Sequence, residues 1–378
     1  MYRNTYAEID KDVLRDNIKN IVSTYSNYEY FFGVVKGNAY GHGFEIINSL
    51  IEGGVNYLAV ATPEEALTVR KKNADIKILC LENVNVKSAK ALSDKNVTLT
   101  VCSLHQAEEL TKLTNNFTVH LKLDTGMNRL GFKEKEELNT AYKLLKSAEN
   151  VTVEGIYTHL ATSGVNDKFY DNQIEKFKEL TSDINLKEIP IVHIGRSLIL
   201  VHHDKPDFVN GIRLGICMYG FAQSLNEPTG LKKIKREVLL KTKHISPSVL
   251  KNSLDLKTAF TLKSEVIALK KVKKGEFVGY GAGYIAKRDI TVATVCIGYF
   301  DGIPSTLKKV FINGKVCEVI GEKCMDMISA VVPENTKVGD SVEIFGDNIS
   351  VKSAAASSGV SAYKLLTGVS ERVPRVYK

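Results

Sequence analysis

Eight short apolar runs, alternating with amphipathic segments over the first half of the chain and a little beyond, constrain the fold more than any other feature. The runs are FFGVVKG (31–37), YLAVAT (57–62), IKILCLE (76–82), VTLTVCS (97–103), TVHLKLDTG (118–126), VTVEGIYTHLA (151–161), IPIVHIG (189–195) and GIRLGICMYG (211–220). Each is nearly continuous in Val, Ile, Leu or Tyr, the pattern of parallel strands covered on both faces. Between them, Leu14, Ile18, Ile21 and Val22 fall on one helical face. Thr62-Pro63-Glu64-Glu65 and Ser103-Leu104-His105-Gln106 carry N-cap signals that start helices straight after strands. Eight β/α repeats predict a (β/α)8 barrel ahead of an open doubly wound sheet, although strand count alone does not close the sheet.

The texture changes after residue 230. A chain of 378 residues allows two domains, and the expected division is a barrel over 1–230 and a C-terminal all-β domain over 231–378. The segment 226–258 is polar and lysine-rich and holds Pro228 and Pro247. Beyond it come short alternating runs separated by turn signals: KKGE (273–276), Asn313-Gly314 inside VFINGKVCEV, and VGDS (338–341). Asn-Gly between apolar runs is a strong hairpin signal.

Composition narrows the functional classes. Lys and Arg total 51 against 43 Asp and Glu, a net charge of +8 without a basic tract. That makes an anionic small molecule at least as good a partner as nucleic acid, and no basic stripe interleaved with aromatics supports the latter. No apolar run approaches the ~18 residues of a membrane span, and the opening MYRNTYAEID lacks a signal-peptide core. Cys80, Cys102, Cys217, Cys296, Cys317 and Cys324 form no CxxC pair and no zinc-ligand spacing. The expectation is a cytoplasmic protein with free thiols and no metal.

In a barrel, chemistry collects where strands end. Those ends hold Lys36 with Tyr40 and His42, then Lys122, Asp124 and Arg129, then His159, Ser197 and Arg213. A lysine ending an apolar strand is paired, or lowered in pKa as a Schiff-base nucleophile requires, or reaches out to solvent. Arg213, inside a strand, needs an acceptor: a ring nitrogen, a phosphate, a carboxylate, or a structural ion-pair partner. His159 alone reads as a hydrogen-bonded core histidine, and His202-His203-Asp204 as a loop. Gly279-Tyr280-Gly281-Ala282-Gly283-Tyr284 has no helix pattern after it, so it is no nucleotide loop; it presents a phenol on a tight turn.

Taken together, VVKGNAYGHG, LKLDTGMNRLGF, GIRLGICMYG, GYGAGY, IGYFDG, CMD and AYKLLTGVSERVPRVY resemble the alanine racemase family, in the family's order and over nearly the whole chain. The resemblance implies a pyridoxal 5′-phosphate (PLP) enzyme interconverting L- and D-alanine, with D-alanine supplied to peptidoglycan. It implies a homodimer whose β-domain completes the partner's active site. Lys36 would hold the cofactor and serve as base for the D-enantiomer, and Tyr280 would serve the L-enantiomer across the interface. His159 and Arg213 would favour the phenolate of Tyr280, whose ordinary pKa of ~10 is high for a base. Arg213 would face the pyridine nitrogen and leave it unprotonated. Tyr40, Ser197, the backbone of Gly215 and Ile216, and Tyr363 would hold the phosphate. Arg129 would contact the cofactor's phenolic oxygen and the substrate carboxylate, oriented by a carbamylated Lys122. Tyr299 and Met325 would line the substrate entrance, with Asp326 nearby.

Three positions depart from the family pattern: Gly283 stands for a usual Thr, Arg196 for a usual Asn, and 226–258 is longer than the usual connection. A serine or broad-specificity racemase, a decarboxylase on the same barrel and a non-catalytic PLP-binding protein are the alternatives. Arg213 opposes the decarboxylase, Tyr280 the carrier, and Tyr363 favours a small side chain.

Overall fold

The computed structural model describes residues 3–162, 167–221 and 254–378, with scattered positions between 231 and 242. The expected boundary at 230 and most of the 226–258 segment lie outside the described residues.

The chain opens with a strand, β1 (Tyr6–Ile9), followed by β2 (Tyr30–Val34), β3 (Tyr57–Val60), β4 (Lys77–Cys80), β5 (Val97–Val101), β6 (Phe117–Leu123), β7 (Val151–Thr158), β8 (Ile191–Gly195) and β9 (Gly211–Leu214). Strands β2 to β9 are the eight apolar runs, and they close into a parallel barrel. Closure is made by β2 against β9, where Phe32 faces Arg213 in register. The capping signals act as read: Thr62 accepts the N–H of Glu65 at the start of the helix Pro63–Lys72, and Ser103 that of Gln106. Leu14, Ile18 and Ile21 bury the inner face of the helix Lys11–Thr24.

The second half forms β10 (Phe260–Val272), β11 (Phe277–Val278), β12 (Tyr284–Ile285), β13 (Ile290–Val295), β14 (Lys309–Ile312), β15 (Lys315–Ile320), β16 (Ile328–Val332), β17 (Ser341–Phe345) and β18 (Arg375–Tyr377). The large sheet runs β13-β16-β15-β14-β17-β10-β1-β18, and β13 also pairs with β10. Asn313 and Gly314, both at positive φ, make the β14–β15 hairpin turn as their sequence predicts.

Two features depart from the sequence reading. Strand β1 pairs antiparallel with β10 and parallel with β18, so the opening of the chain serves the second sheet. Among the described residues beyond 254 there are also two α-helices, Val351–Ser358 and Ala362–Thr367. A four-residue strand and helices of six and eight residues are too short for periodicity to separate, and only their partners settle them.

Candidate active site

The loop after β2 builds one wall of a cavity of about 470 Å³ at the C-terminal end of the barrel. From Gly37 to Gly41 every residue has positive φ, including Asn38, Ala39 and Tyr40 at 51° to 53°. A left-handed turn costs a non-glycine residue roughly 1–2 kcal/mol, so this one persists because its surroundings dictate it. One fastening is the Glu65 carboxylate, which accepts the N–H groups of Gly37 at 2.6 Å and Ala61 at 2.8 Å. Glu65 therefore ties the turn to its own helix instead of closing a capping box on Thr62. A Cβ on Gly41 would stand 2.2 Å from the Leu366 carbonyl, and one on Gly43 2.0 Å from the Tyr377 hydroxyl. The glycines of this motif thus serve backbone shape and packing against the C-terminal segment.

The turn directs Lys36 and Tyr40 into the cavity. Burial, then the charge of Arg129, lowers the Lys36 amine below its ordinary value. Lys122, on β6, is buried and lowered to about 8, again by burial first and then by Arg129 and Arg213. Among the described residues neither lysine has a carboxylate partner within ion-pair distance. Asp124, two residues from Lys122, is occupied: it accepts the N–H groups of Gly126, Asn128 and Arg129 at 2.9–3.0 Å, folding the turn that brings Arg129 to the cavity mouth.

Arg213 lies at the base of this arrangement, 4 % exposed. Its Nη1 meets Nδ1 of His193 at 2.7 Å, and its Nη2 donates to the Thr158 carbonyl at 2.6 Å and approaches Nδ1 of His159 at 3.4 Å. Burial lowers the guanidinium to about 10, so it remains a cation at neutral pH. The structural ion pair considered for it is absent among the described residues. Burial, then Arg213 and Arg129, drives His159 down to about 2, leaving it neutral. With Nδ1 turned toward Arg213, the His159 proton resides on Nε2.

Beside Tyr40, Ser197, Gly215, Ile216 and Tyr363 line the same cavity, Tyr363 from the helix Ala362–Thr367. Gly215 N–H donates to Ser197 Oγ at 2.6 Å. Arg196 lines the cavity beside them and donates to the Ala161 carbonyl at 3.1 Å. Among the lining residues that escaped the sequence reading, Tyr157 and Glu82 bring polar groups. Tyr157 lies under both Arg213 and Lys122, its ring centroid 4.7 Å from the guanidinium carbon and 5.8 Å from the ammonium nitrogen. It precedes His159 by two, and the period-2 rule puts both on the barrel's inner face. Glu82 contributes a carboxylate from the end of the IKILCLE run.

Tyr280, Tyr299 and Met325 do not reach this cavity within the chain. They lie on the C-terminal half, 71 %, 45 % and 50 % exposed. Gly279 and Gly281 hold positive φ on either side of Tyr280, whereas Gly283 has an ordinary helical φ of −60°. The Tyr299 turn closes on Met325: Phe300 N–H donates to the Met325 carbonyl at 3.1 Å, and a Cβ on Gly298 would stand 2.2 Å from that oxygen. Asp301, buried beneath, receives both Arg3 and Arg372, and Arg372 also reaches Asp326 at 2.7 Å.

The family models of alanine racemase match both halves, the N-terminal domain over residues 9–223 and the C-terminal domain over 259–377. The chain belongs to the alanine racemase family. It is an enzyme of the PLP-dependent amino-acid racemase class. The alanine racemase of Anoxybacillus flavithermus is 34% identical over 390 residues, covering 100% of this chain and 95% of its own. The crystal structure of alanine racemase from E. faecalis superposes with a TM-score of 0.88 at 30% identity, covering 100% of this chain and 99% of its own. A histidine racemase from Leuconostoc mesenteroides subsp. sake superposes with a TM-score of 0.85 at 26% identity, covering 100% of this chain and 98% of its own. Among the described residues no helix is long and apolar enough to cross a membrane.

Proposed function

We propose that this chain interconverts L-alanine and D-alanine, using PLP and two bases on opposite faces of the substrate, as a cytoplasmic homodimer supplying D-alanine to peptidoglycan. The observation that carries the reading is Arg213, a buried cation without a carboxylate partner among the described residues, lining the same cavity as Lys36.

The residues present fit PLP. A Cβ on Gly215 would meet the Tyr40 hydroxyl at 3.1 Å and Ser197 Oγ at 3.6 Å, so glycine leaves a cradle toward which two hydroxyls converge. Tyr40, Ser197, the Gly215–Ile216 backbone and Tyr363 would hold the phosphate there. Among the described residues the lining brings Lys36, Lys122, Arg129, Arg196 and Arg213 against the single carboxylate of Glu82, a balance suited to an anionic cofactor and substrate. When bound, PLP supplies a conjugated ring that takes up electron density from the substrate Cα. Arg213 would offer the ring nitrogen a hydrogen bond without surrendering its proton, because a guanidinium stays protonated at neutral pH. That weakens the electron sink and favours proton return at Cα over decarboxylation.

Lys36, its amine favoured in the neutral form by burial, holds the cofactor and moves the proton on one face. The phenols lining the cavity are poor bases, since burial raises Tyr40, Tyr157 and Tyr363 alike. Following the family resemblance, we assign the second base to Tyr280 of a second copy, with that copy's Tyr299 and Met325 at the entrance. His159 Nε2–H donates to the phenolate oxygen. Arg129 binds the substrate carboxylate, and the neutral fraction of Lys122 is open to carbamylation, which would give Arg129 an anion to lean on. The working domains are then a barrel over 1–230, less the borrowed strand β1, and a C-terminal domain over 231–378.

Incubation with L-alanine in D2O, followed by chiral analysis, tests this: D-alanine carrying deuterium at Cα is expected. Bound cofactor without exchange would leave the non-catalytic reading, and release of CO2 the decarboxylase. The histidine racemase neighbour favours a second reading, a wider or different side-chain preference, so L-serine and L-histidine run in parallel. A turnover preference for either over alanine would overturn the substrate assignment.

A further inference from the structure

Arg213 is one end of a file of polar side chains that crosses the barrel interior from the cavity to the opposite mouth. Its Nη1 donates to Nδ1 of His193 at 2.7 Å; the two histidines then meet, His193 Nε2 to His120 Nδ1, at 2.9 Å. His120 Nε2 lies 3.1 Å from Glu154 Oε2, and Glu154 is held from outside by Lys77 and by the Tyr57 hydroxyl at 2.9 Å. Arg213, His193 and His120 are all buried, and Lys77 alone extends into solvent.

The ends of the file dictate its protons. Arginine only donates and an ionised carboxylate only accepts. His193 Nδ1 must therefore accept from Arg213, which puts its proton on Nε2, directed at His120 Nδ1. His120 then carries its own proton on Nε2, directed at Glu154. From Arg213 to His120 every donor points away from the cavity, and two neutral histidines allow no other complete pairing. Burial lowers both rings below the ordinary imidazole value, against the pull of Glu154 on His120.

The barrel is built to admit this file. A Cβ on Gly195 would stand 2.6 Å from the Arg213 guanidinium, and one on Gly155 2.6 Å from the His120 ring. Phe32 and Tyr157 stack on the two faces of His193, at 4.4 and 4.5 Å. Its ring plane, and with it the aim of Nδ1, is fixed from β2 and β7.

We propose that Glu154, acting through His120 and His193, is a positioning and charge-balancing residue for Arg213, so that the closed end of the barrel sets the orientation and charge of the cation at the active cavity. The proposal rests on the racemase reading for its kinetic effect, but not for its proton assignment. The groups concerned are Lys77 on β4, Tyr57 on β3, Tyr30 on β2 and His120 on β6 around Glu154, and Arg213 on β9, Tyr157 on β7 and His120 around His193.

Two measurements on the full-length holoenzyme test it. In protein labelled with 15N-histidine, the His120 and His193 resonances, assigned by their loss in His120→Gln and His193→Gln, should both report neutral rings protonated on Nε2 from about pH 6 to 9. A proton on Nδ1 of either ring, or titration in that range, would overturn the file whatever the enzyme's substrate. Glu154→Gln keeps an acceptor and removes the charge. It should lower kcat roughly fivefold with KM for alanine little changed, and move the kcat/KM pH profile to lower pH by a few tenths of a unit. Lys77→Met strips the outer cation and should move the profile to higher pH, which keeps the test open if Glu154→Gln fails to fold. In an Arg213→Lys background the Glu154→Gln effect should vanish. Shifts in the same direction for both variants, no shift in either, or an undiminished Glu154→Gln effect in that background, would sink the proposal.

Discussion

The Glu65 carboxylate accepts the Gly37 N–H at 2.6 Å, and by that contact a helix after β3 restrains the left-handed turn that carries Lys36 and Tyr40. Its other oxygen takes the Ala61 N–H, so a single side chain joins two of the barrel's loops. Glu65→Ala would leave two backbone donors without their acceptor and release a strained turn. A stability loss of about 1–3 kcal/mol in urea denaturation is expected, together with a fall in cofactor occupancy seen in the visible absorbance. Unchanged stability and occupancy would show the turn is held without it.

Arg196 is the cavity cation in a position where the family usually has Asn. Its charge acts on both Tyr40 and Tyr363, beside the phosphate cradle. Arg196→Asn should weaken PLP binding by about tenfold, the scale of one charge-assisted hydrogen bond, measured by fluorescence titration of the apoprotein. Equal affinities would place its charge outside the phosphate's reach.

The exposed Tyr280 and the distant Lys36 predict complementation. Lys36→Ala and Tyr280→Phe should each be nearly inactive as pure proteins. After mixing under conditions that exchange subunits, a hybrid dimer holds one intact site. Random exchange should restore roughly a quarter of wild-type activity. No recovery in verified hybrids would place Tyr280 and Lys36 in the same subunit's site.

Glu154 gives the clearest acid dependence. Burial acts to raise its carboxyl, but hydrogen bonds from His120 and Lys77 outweigh it and hold the folded value at about 2. An unfolded glutamate titrates near ~4.3. A depressed pKa means the stabilisation is fully present above the unfolded value and drains away as pH falls from there toward 2. Denaturation midpoints measured across that window should fall less steeply in Glu154→Gln than in wild type. Parallel slopes would contradict the assignment.

The barrel was legible because strands covered on both faces must be apolar throughout, and the helices between them announce themselves with caps such as Thr62 and Ser103. The β14–β15 hairpin was legible because Asn313-Gly314 suits a turn with two positive φ angles. Strand β1 was not: four residues carry no period, and their partners lie more than 250 positions away in the chain. The left-handed turn at 37–41 was equally hidden, since Ala39 and Tyr40 have no intrinsic preference for it.

The sequence by itself determined the alternation of strands and helices, the family, and which side chains carry chemistry, because these depend on residue type and order along one chain. Tertiary structure decided how they act. It set Lys36 and Lys122 among cations, buried Lys122, gave Arg213 neutral acceptors in place of a carboxylate, and aligned His193 and His120 between that arginine and Glu154. It also left Tyr280 facing solvent. Burial, proton direction and distance arise only when segments far apart in the chain are brought together, and no local pattern encodes them.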